Sequence, residues 1–149
     1  MLQFPLGDVV IDLYDEGEAA KICESFTRLC ARKYYHGCLV YQVQSGCLAQ
    51  TGDPTGTGMG GSFKPDVEAE FTDKESFTRG AVGMARSSDP DSANSQFFIC
   101  FDDASFLDEN YTLFGRVVEG MEYVDNITPG EPPSNPDKIV KMQVAADAN

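Results

Sequence analysis

The sequence predicts a mostly β protein, a closed and mainly antiparallel sheet whose ends are plugged by two helices. Three observations predict it. Short segments of alternating apolar and polar residues recur from one end of the chain to the other. Gly and Pro, 14 and 8 of 149 residues, are frequent enough to punctuate those segments with turns. Only two stretches carry the helical period of about 3.6 residues.

The elements follow in order. Val9, Ile11 and Leu13 alternate with Val10, Asp12 and Tyr14, which predicts an opening strand. Over 18–31 the period changes. Ile22, Phe26, Leu29 and Cys30 fall on one helical face, with Lys21, Glu24 and Arg28 among the other positions. Cys38–Val43 and Cys47–Gln50 read as strands joined by a turn at Ser45-Gly46. From Thr51 to Gly61, five glycines in eleven positions forbid a regular element. Strands are expected again at Ala81–Arg86, Gln96–Phe101 and Thr112–Val118. A short helix over 120–127 presents Met121, Val124 and Ile127 on one face. Lys138–Ala145 closes as a strand, with Val140, Met142 and Val144 alternating.

A single domain over 1–149 accounts for the length. The net charge of −13 is spread evenly along the chain, with no acidic tail or basic arm. Nucleic acid is therefore not an expected partner, because phosphate recognition needs clustered Lys and Arg. Nor is a membrane, since no apolar run approaches a span and no signal peptide is visible. The five cysteines are odd in number and contain no CxxC. Neither a disulfide framework nor a metal site is expected. Free thiols in a reducing compartment are, with cytoplasmic residence preferred over nuclear.

Several chemistry-bearing motifs have plainer readings. The glycine loop is spaced G-x-G-x-G-G and opens no helix, so turns needing positive φ explain it better than phosphate binding. Asp102-Asp103 and Asp108-Glu109 are adjacent acids of an acidic surface. Asp89, Asp91 and Asn94 lack the terminal Glu of a calcium loop. His36, the one histidine, sits beyond a helix and before Gly37, where it marks a helix end. In Ser95-Gln96-Phe97-Phe98-Ile99-Cys100 the consecutive rings must face opposite sides of the sheet. One ring is core, and the other needs cover or a ligand.

Four segments in order carry a resemblance. They are Gln50–Gly61, Ser95–Cys100, Phe106-Leu107-Asp108 and Phe114–Met121. Together they resemble the cyclophilins, the family of peptidyl-prolyl cis-trans isomerases, over about Gly7 to Ala145. The resemblance implies an eight-stranded closed antiparallel β-barrel capped by two α-helices, monomeric and without a cofactor. It implies a groove with a proline pocket formed by Cys47, Leu48, Phe98 and Leu107. Gln50 and Gln96 stand where the family hydrogen-bonds the substrate backbone, Ala85 and Arg86 line the adjoining groove, and Gly60 borders the next subsite. Phe106 and Tyr111 take the places of the family's tryptophan and histidine.

The pattern also departs from the family. The family's F-H-R-V reads Val40-Tyr41-Gln42-Val43, which puts Gln42 at the catalytic arginine position, and Cys47 replaces a pocket phenylalanine. With Trp absent from the chain, cyclosporin binding is expected to be weak or nil. Proline-containing peptides remain the expected partners, with basic or neutral ones favoured over acidic ones. The expectation is an isomerase that assists folding, with weakened activity and Arg86 as the nearest substitute cation. The alternative is a proline-peptide binding module or scaffold subunit using the same fold.

Overall fold

Alternating burial and turn chemistry build an antiparallel sheet in the computed structural model, which describes residues 2–4, 7–14, 19–44, 46–56, 58, 60–62, 66–72, 76–127, 129–130, 133, 136–139 and 141–142. The elements are β1 (Leu2–Phe4), β2 (Gly7–Leu13), α1 (Ala20–Ala31), β3 (Gln42–Gln44), β4 (Leu48–Thr51), β5 (Ala81–Met84) and β6 (Phe97–Cys100). A one-turn 3-10 helix (Ser105–Leu107), β7 (Leu113–Glu119), α2 (Met121–Asp125) and β8 (Lys141–Met142) follow.

Six strands lie side by side in the order β3-β4-β6-β5-β7-β2, each neighbouring pair antiparallel. β1 continues from β2, and the two-residue β8 from β1. The expected closed barrel needs correction, because among the described residues the ladder does not close: β3 and β8 are its two ends. Between those ends runs a thinner seam. Leu39 bridges Lys138, and backbone hydrogen bonds join Gly37 N to Ile139 O (2.7 Å), Val40 N to Asp137 O (2.8 Å) and Ile139 N to Cys38 O (2.9 Å). Val40 and Tyr41 are both buried. That break in the two-residue alternation is why the expected strand from Cys38 becomes a ladder only at Gln42.

Of the strand expected over Lys138–Ala145, Lys141–Met142 forms a ladder and Lys138 a single bridge, while residues 140 and 143–145 lie outside those described. The helix expected over 18–31 runs Ala20–Ala31, residue 18 likewise lying outside, as does Ser45 of the expected turn. The helix expected over 120–127 runs Met121–Asp125 and starts from Gly120 at φ 90°. A Cβ there would fall 3.0 Å from Val9 Cα, so the chain needs glycine twice over, for φ and for space. β1 and the 3-10 turn were not anticipated.

α1 has the amphipathic face its period predicts, burying Ile22, Cys23, Phe26, Leu29 and Cys30. Phe26 packs among Tyr35, Phe97 and Phe114, with ring centroids 5.3, 5.3 and 4.9 Å away. Its N-terminus has no local side-chain cap. Glu70 supplies one from far along the chain, its carboxylate accepting from Ile22 N (2.8 Å) and Lys21 N (3.3 Å).

The sheet separates two apolar clusters. Phe97, Ile99, Val82 and Met84 join the larger core beneath α1. Phe98, Cys100, Ala81, Phe77, Leu107 and Leu113 form a second cluster. The two consecutive rings therefore do face opposite sides, and each finds cover.

Candidate active site

The second cluster supplies an apolar floor. Phe98, from β6, is 3% exposed, and Leu107, from the 3-10 turn, is 9% exposed. Half-buried Leu48, Ala85 and Tyr111 pack against them. Phe98 meets Tyr111 edge to face at 5.9 Å, and Phe77 lies against it at 5.5 Å with the rings tilted by 31°. The 3-10 turn is held from below by Asp108, whose carboxylate accepts from Phe77 N (2.8 Å) and Ser76 Oγ (2.5 Å).

Beside this floor opens a cavity of about 500 Å³, whose lining includes Gln50, Gly60, Ala85, Arg86 and Gln96. Ala85 belongs to both floor and cavity, so the apolar and polar parts adjoin. β4 and β6 place the two glutamines: Gln50 is paired with Phe98 in the ladder, and Gln96 lies two residues before Phe98. Gln50 Nε2 donates to Gln96 Oε1 (3.1 Å) and to the Tyr41 hydroxyl (2.7 Å), and the Tyr41 hydroxyl donates to Gln96 Oε1. Burial pushes Tyr41 up to about 12, against a hydrogen bond from Gln50 that lowers it, so its proton stays on.

The loop at the cavity rim is organised by Asp53, which is wholly buried. Its carboxylate accepts from Thr55 N (2.9 Å), Thr55 Oγ1 (2.8 Å), Gly58 N (2.8 Å) and Gly60 N (3.0 Å). Burial alone would raise this carboxyl, but the donors of Gly60, Thr55 and Gly58 outweigh it and hold it at about 2. The glycine loop thus does turn N–H groups onto an anion, and that anion is the protein's own aspartate. Thr57 and Met59 of this loop lie outside the described residues.

The remaining expected residues are placed as follows. Gln42 stands on β3 paired with Gln50 in the ladder, but it belongs to neither the cavity lining nor the apolar cluster. Cys47 is half-buried just before β4 and also stands outside both sets; burial raises its thiol above the ordinary value. Phe106 is 70% exposed on the 3-10 turn beside Leu107. Arg86 lines the cavity with its guanidinium 4.8 Å from the Tyr111 ring centroid. Its Nε donates to Asn110 O (2.9 Å) and its Nη1 to Ser87 O (2.9 Å).

His36 has a structural contact, Nε2 to Met142 O at 3.2 Å. Among the described residues no group of His, Cys, Asp and Glu could hold a metal. All five cysteines are free thiols. The sequence reading missed Tyr41 and Asp53. Tyr41 could have been found as the aromatic hydroxyl beside the β3–β4 hairpin, and Asp53 as the acid opening a run of glycine N–H donors.

An antiparallel sheet with an apolar floor beside a two-glutamine cavity defines the site, and comparison identifies the family. The family model for the cyclophilin type peptidyl-prolyl cis-trans isomerase/CLD matches residues 1–144, and the chain belongs to that family of isomerases. A probable peptidyl-prolyl cis-trans isomerase of Brucella suis is 43% identical over 163 aligned residues, covering 99% of this chain and 82% of the relative. The human peptidyl-prolyl cis-trans isomerase-like 3 is 40% identical over 129 residues, covering 85% of this chain and 79% of the relative. Among solved structures, a Cryptosporidium parvum cyclophilin type isomerase crystallised in the presence of the dipeptide Ala-Pro superposes with a TM-score of 0.89. That structure is 28% identical and 96% of each chain is covered. A cyclophilin of Hirschia baltica, 24% identical, superposes at 0.90 over 99% of this chain and 74% of its own length, and speaks for the fold alone.

Proposed function

We propose that this chain rotates X-Pro peptide bonds in protein or peptide substrates with weakened activity, because Gln42 stands at the family's catalytic arginine position. The observation that carries the reading is the shared wall at Ala85, where the apolar floor of Leu48, Phe98, Leu107 and Tyr111 meets the polar cavity of Gln50, Gln96 and Arg86. A proline ring fits the first and a peptide backbone the second. The Cryptosporidium relative crystallised with Ala-Pro supports a proline peptide as the ligand class. Cys47 completes the pocket on this reading, Gly60 bounds the neighbouring subsite, and Phe106 covers the edge.

The chemistry explains the weakness. An X-Pro amide twists over a barrier of roughly 18–20 kcal/mol, and at the top its nitrogen regains a lone pair. A guanidinium there gives a charged donor, while a carboxamide gives a neutral one of about half the strength. Arg86 does not replace it readily, since Nε and Nη1 are already bound to Asn110 and Ser87 carbonyls. Losing a transition-state donor of this kind costs about 10²–10³ in rate in other enzymes.

The test is a proline-isomerisation assay comparing the parent chain with Gln42→Arg. Gln42→Arg should raise kcat/KM by about tenfold or more, less than that full range because the carboxamide already supplies a neutral donor. A parent chain as fast as an ordinary cyclophilin, or no gain on restoring arginine, would overturn the assignment to Gln42. Arg86's commitment to loop carbonyls also favours a second reading, a groove that captures proline peptides without turning them over. Micromolar peptide binding with no turnover in either variant would select it. On both readings cyclosporin binds weakly, the pocket having Phe106 and Cys47 where the family has larger rings.

A further inference from the structure

The Tyr41 hydroxyl fixes which way the cavity's two carboxamides point, and the argument starts from the glycine loop. Gly58 O and Gly60 O can only accept hydrogen bonds. Gln96 reaches both, at 3.0 and 2.8 Å, so the atom facing them must be its Nε2, and both of its amide hydrogens are used there. Its Oε1 is therefore turned back toward Tyr41 and Gln50. Tyr41 must donate to that oxygen, having one proton to give. The hydroxyl's lone pairs are then what Gln50 meets, so Gln50 must present Nε2 to Tyr41 (2.7 Å) and to Gln96 Oε1 (3.1 Å). Both hydrogens of Gln50 are consumed. Its Oε1 has no hydrogen-bond partner among the described residues, and no buried side-chain oxygen or nitrogen there lacks one. Gln50 Oε1 is thus left open at the cavity it lines.

We propose that Tyr41 is a positioning residue that locks Gln50 with its carboxamide oxygen facing the groove, so that this position accepts a hydrogen bond from a substrate backbone N–H. This rests on reading the groove as a proline-peptide site. It adds a specificity. Proline has no N–H of its own, so a flanking residue must supply the donor. A substrate methylated on that backbone nitrogen would be discriminated against.

The experiment uses the full chain and Tyr41→Phe, which keeps the ring and removes only the hydroxyl. The probes are an acetylated Ala-Ala-Pro-Ala amide and its singly N-methylated forms. Side-chain amide proton spectra are recorded first. In the parent chain the Gln50 NH₂ protons should be protected from exchange, and in Tyr41→Phe they should lose that protection while Gln96, held by two carbonyls, keeps it. Calorimetric titration follows. One N-methylation should weaken binding to the parent chain about fivefold, the scale of one neutral hydrogen bond. Tyr41→Phe should weaken the unmethylated peptide by a similar factor and leave the affinity for that methylated peptide unchanged. Equal loss for both peptides, or a parent chain indifferent to methylation at every position, would overturn the proposal while leaving the peptide site intact. No binding of any peptide to the parent chain would overturn the site itself, and with it the substrate part of the proposal. Unchanged Gln50 protons in Tyr41→Phe would remove the lock on their own.

Discussion

Replacing Asp53 with Asn removes the charge that gathers the cavity rim, and its effect should depend on pH in a calculable way. The carboxylate takes two backbone N–H groups from Gly58 and Gly60 and both a backbone and a side-chain donor from Thr55. These hold its carboxyl at about 2, against 3.8 for an ordinary aspartate. Nearly two units of depression correspond to about 2.5 kcal/mol of stability, at roughly 1.4 kcal/mol per unit. The folded-state value is the lower one. The contribution is therefore fully present above about pH 4 and is lost as the pH falls through about 2. Asn adds a second penalty, because its NH₂ points a donor at donors. Buried N–H groups left unsatisfied cost about 1–3 kcal/mol, so near neutral pH the variant should be less stable by about 3.5–5.5 kcal/mol in all. Equilibrium urea unfolding measures both. The gap between parent and variant should shrink by about 2 kcal/mol between about pH 4 and about pH 2, since only the parent has this carboxylate to lose. Asp125, lowered by its hydrogen bond from Arg79, titrates in both proteins and cancels. A gap unchanged from neutral pH to about pH 2 would refute the claim that these donors stabilise the charged form.

Other outcomes follow from the same geometry. A Cβ at Gly83 would lie 2.5 Å from Phe77 Cε1 and 2.6 Å from Phe98 Cζ, so Gly83→Ala should push the pocket ring aside. Denaturant unfolding should register about 1–3 kcal/mol of destabilisation, as for other overpacked sites, and proline-peptide affinity should fall with it. Thiol labelling of the native protein should modify Cys47 first. Burial raises Cys30 and Cys100 to about 12 and Cys38 to about 11, and Cys23 is 1% exposed, whereas Cys47 is half-buried. Mass spectrometry of peptides after brief alkylation decides it, and prior modification of any other cysteine would contradict the burial pattern.

What could be read from the sequence was whatever depends on neighbours along the chain. The buried face of α1 follows from spacing alone, as Ile22, Phe26, Leu29 and Cys30 show. The opposite fates of Phe97 and Phe98 follow from the period of two. What escaped depends on contacts distant in sequence. Nothing near Ala20 announces that Glu70 caps the helix. Nothing in Val40-Tyr41-Gln42 announces that the tyrosine, rather than the residue at the arginine position, joins Gln50 and Gln96. The resemblance directed attention to Gln42, and the network formed one residue earlier. Three-residue β1 has too few positions to display a period, and it forms because Leu2–Phe4 finds β2 to pair with.

That pairing also sets an order of events. In the ladder Leu2 stands opposite Val9 on one side and opposite Met142 on the other. A chain leaving the ribosome N-terminus first can make the β1–β2 hairpin almost at once. The outer edge of β1 must then wait until Lys141–Met142 has been synthesised, and it is an unpaired strand edge in the meantime. β1 is therefore completed only once β8 has been made, although its other partner follows it directly in the chain.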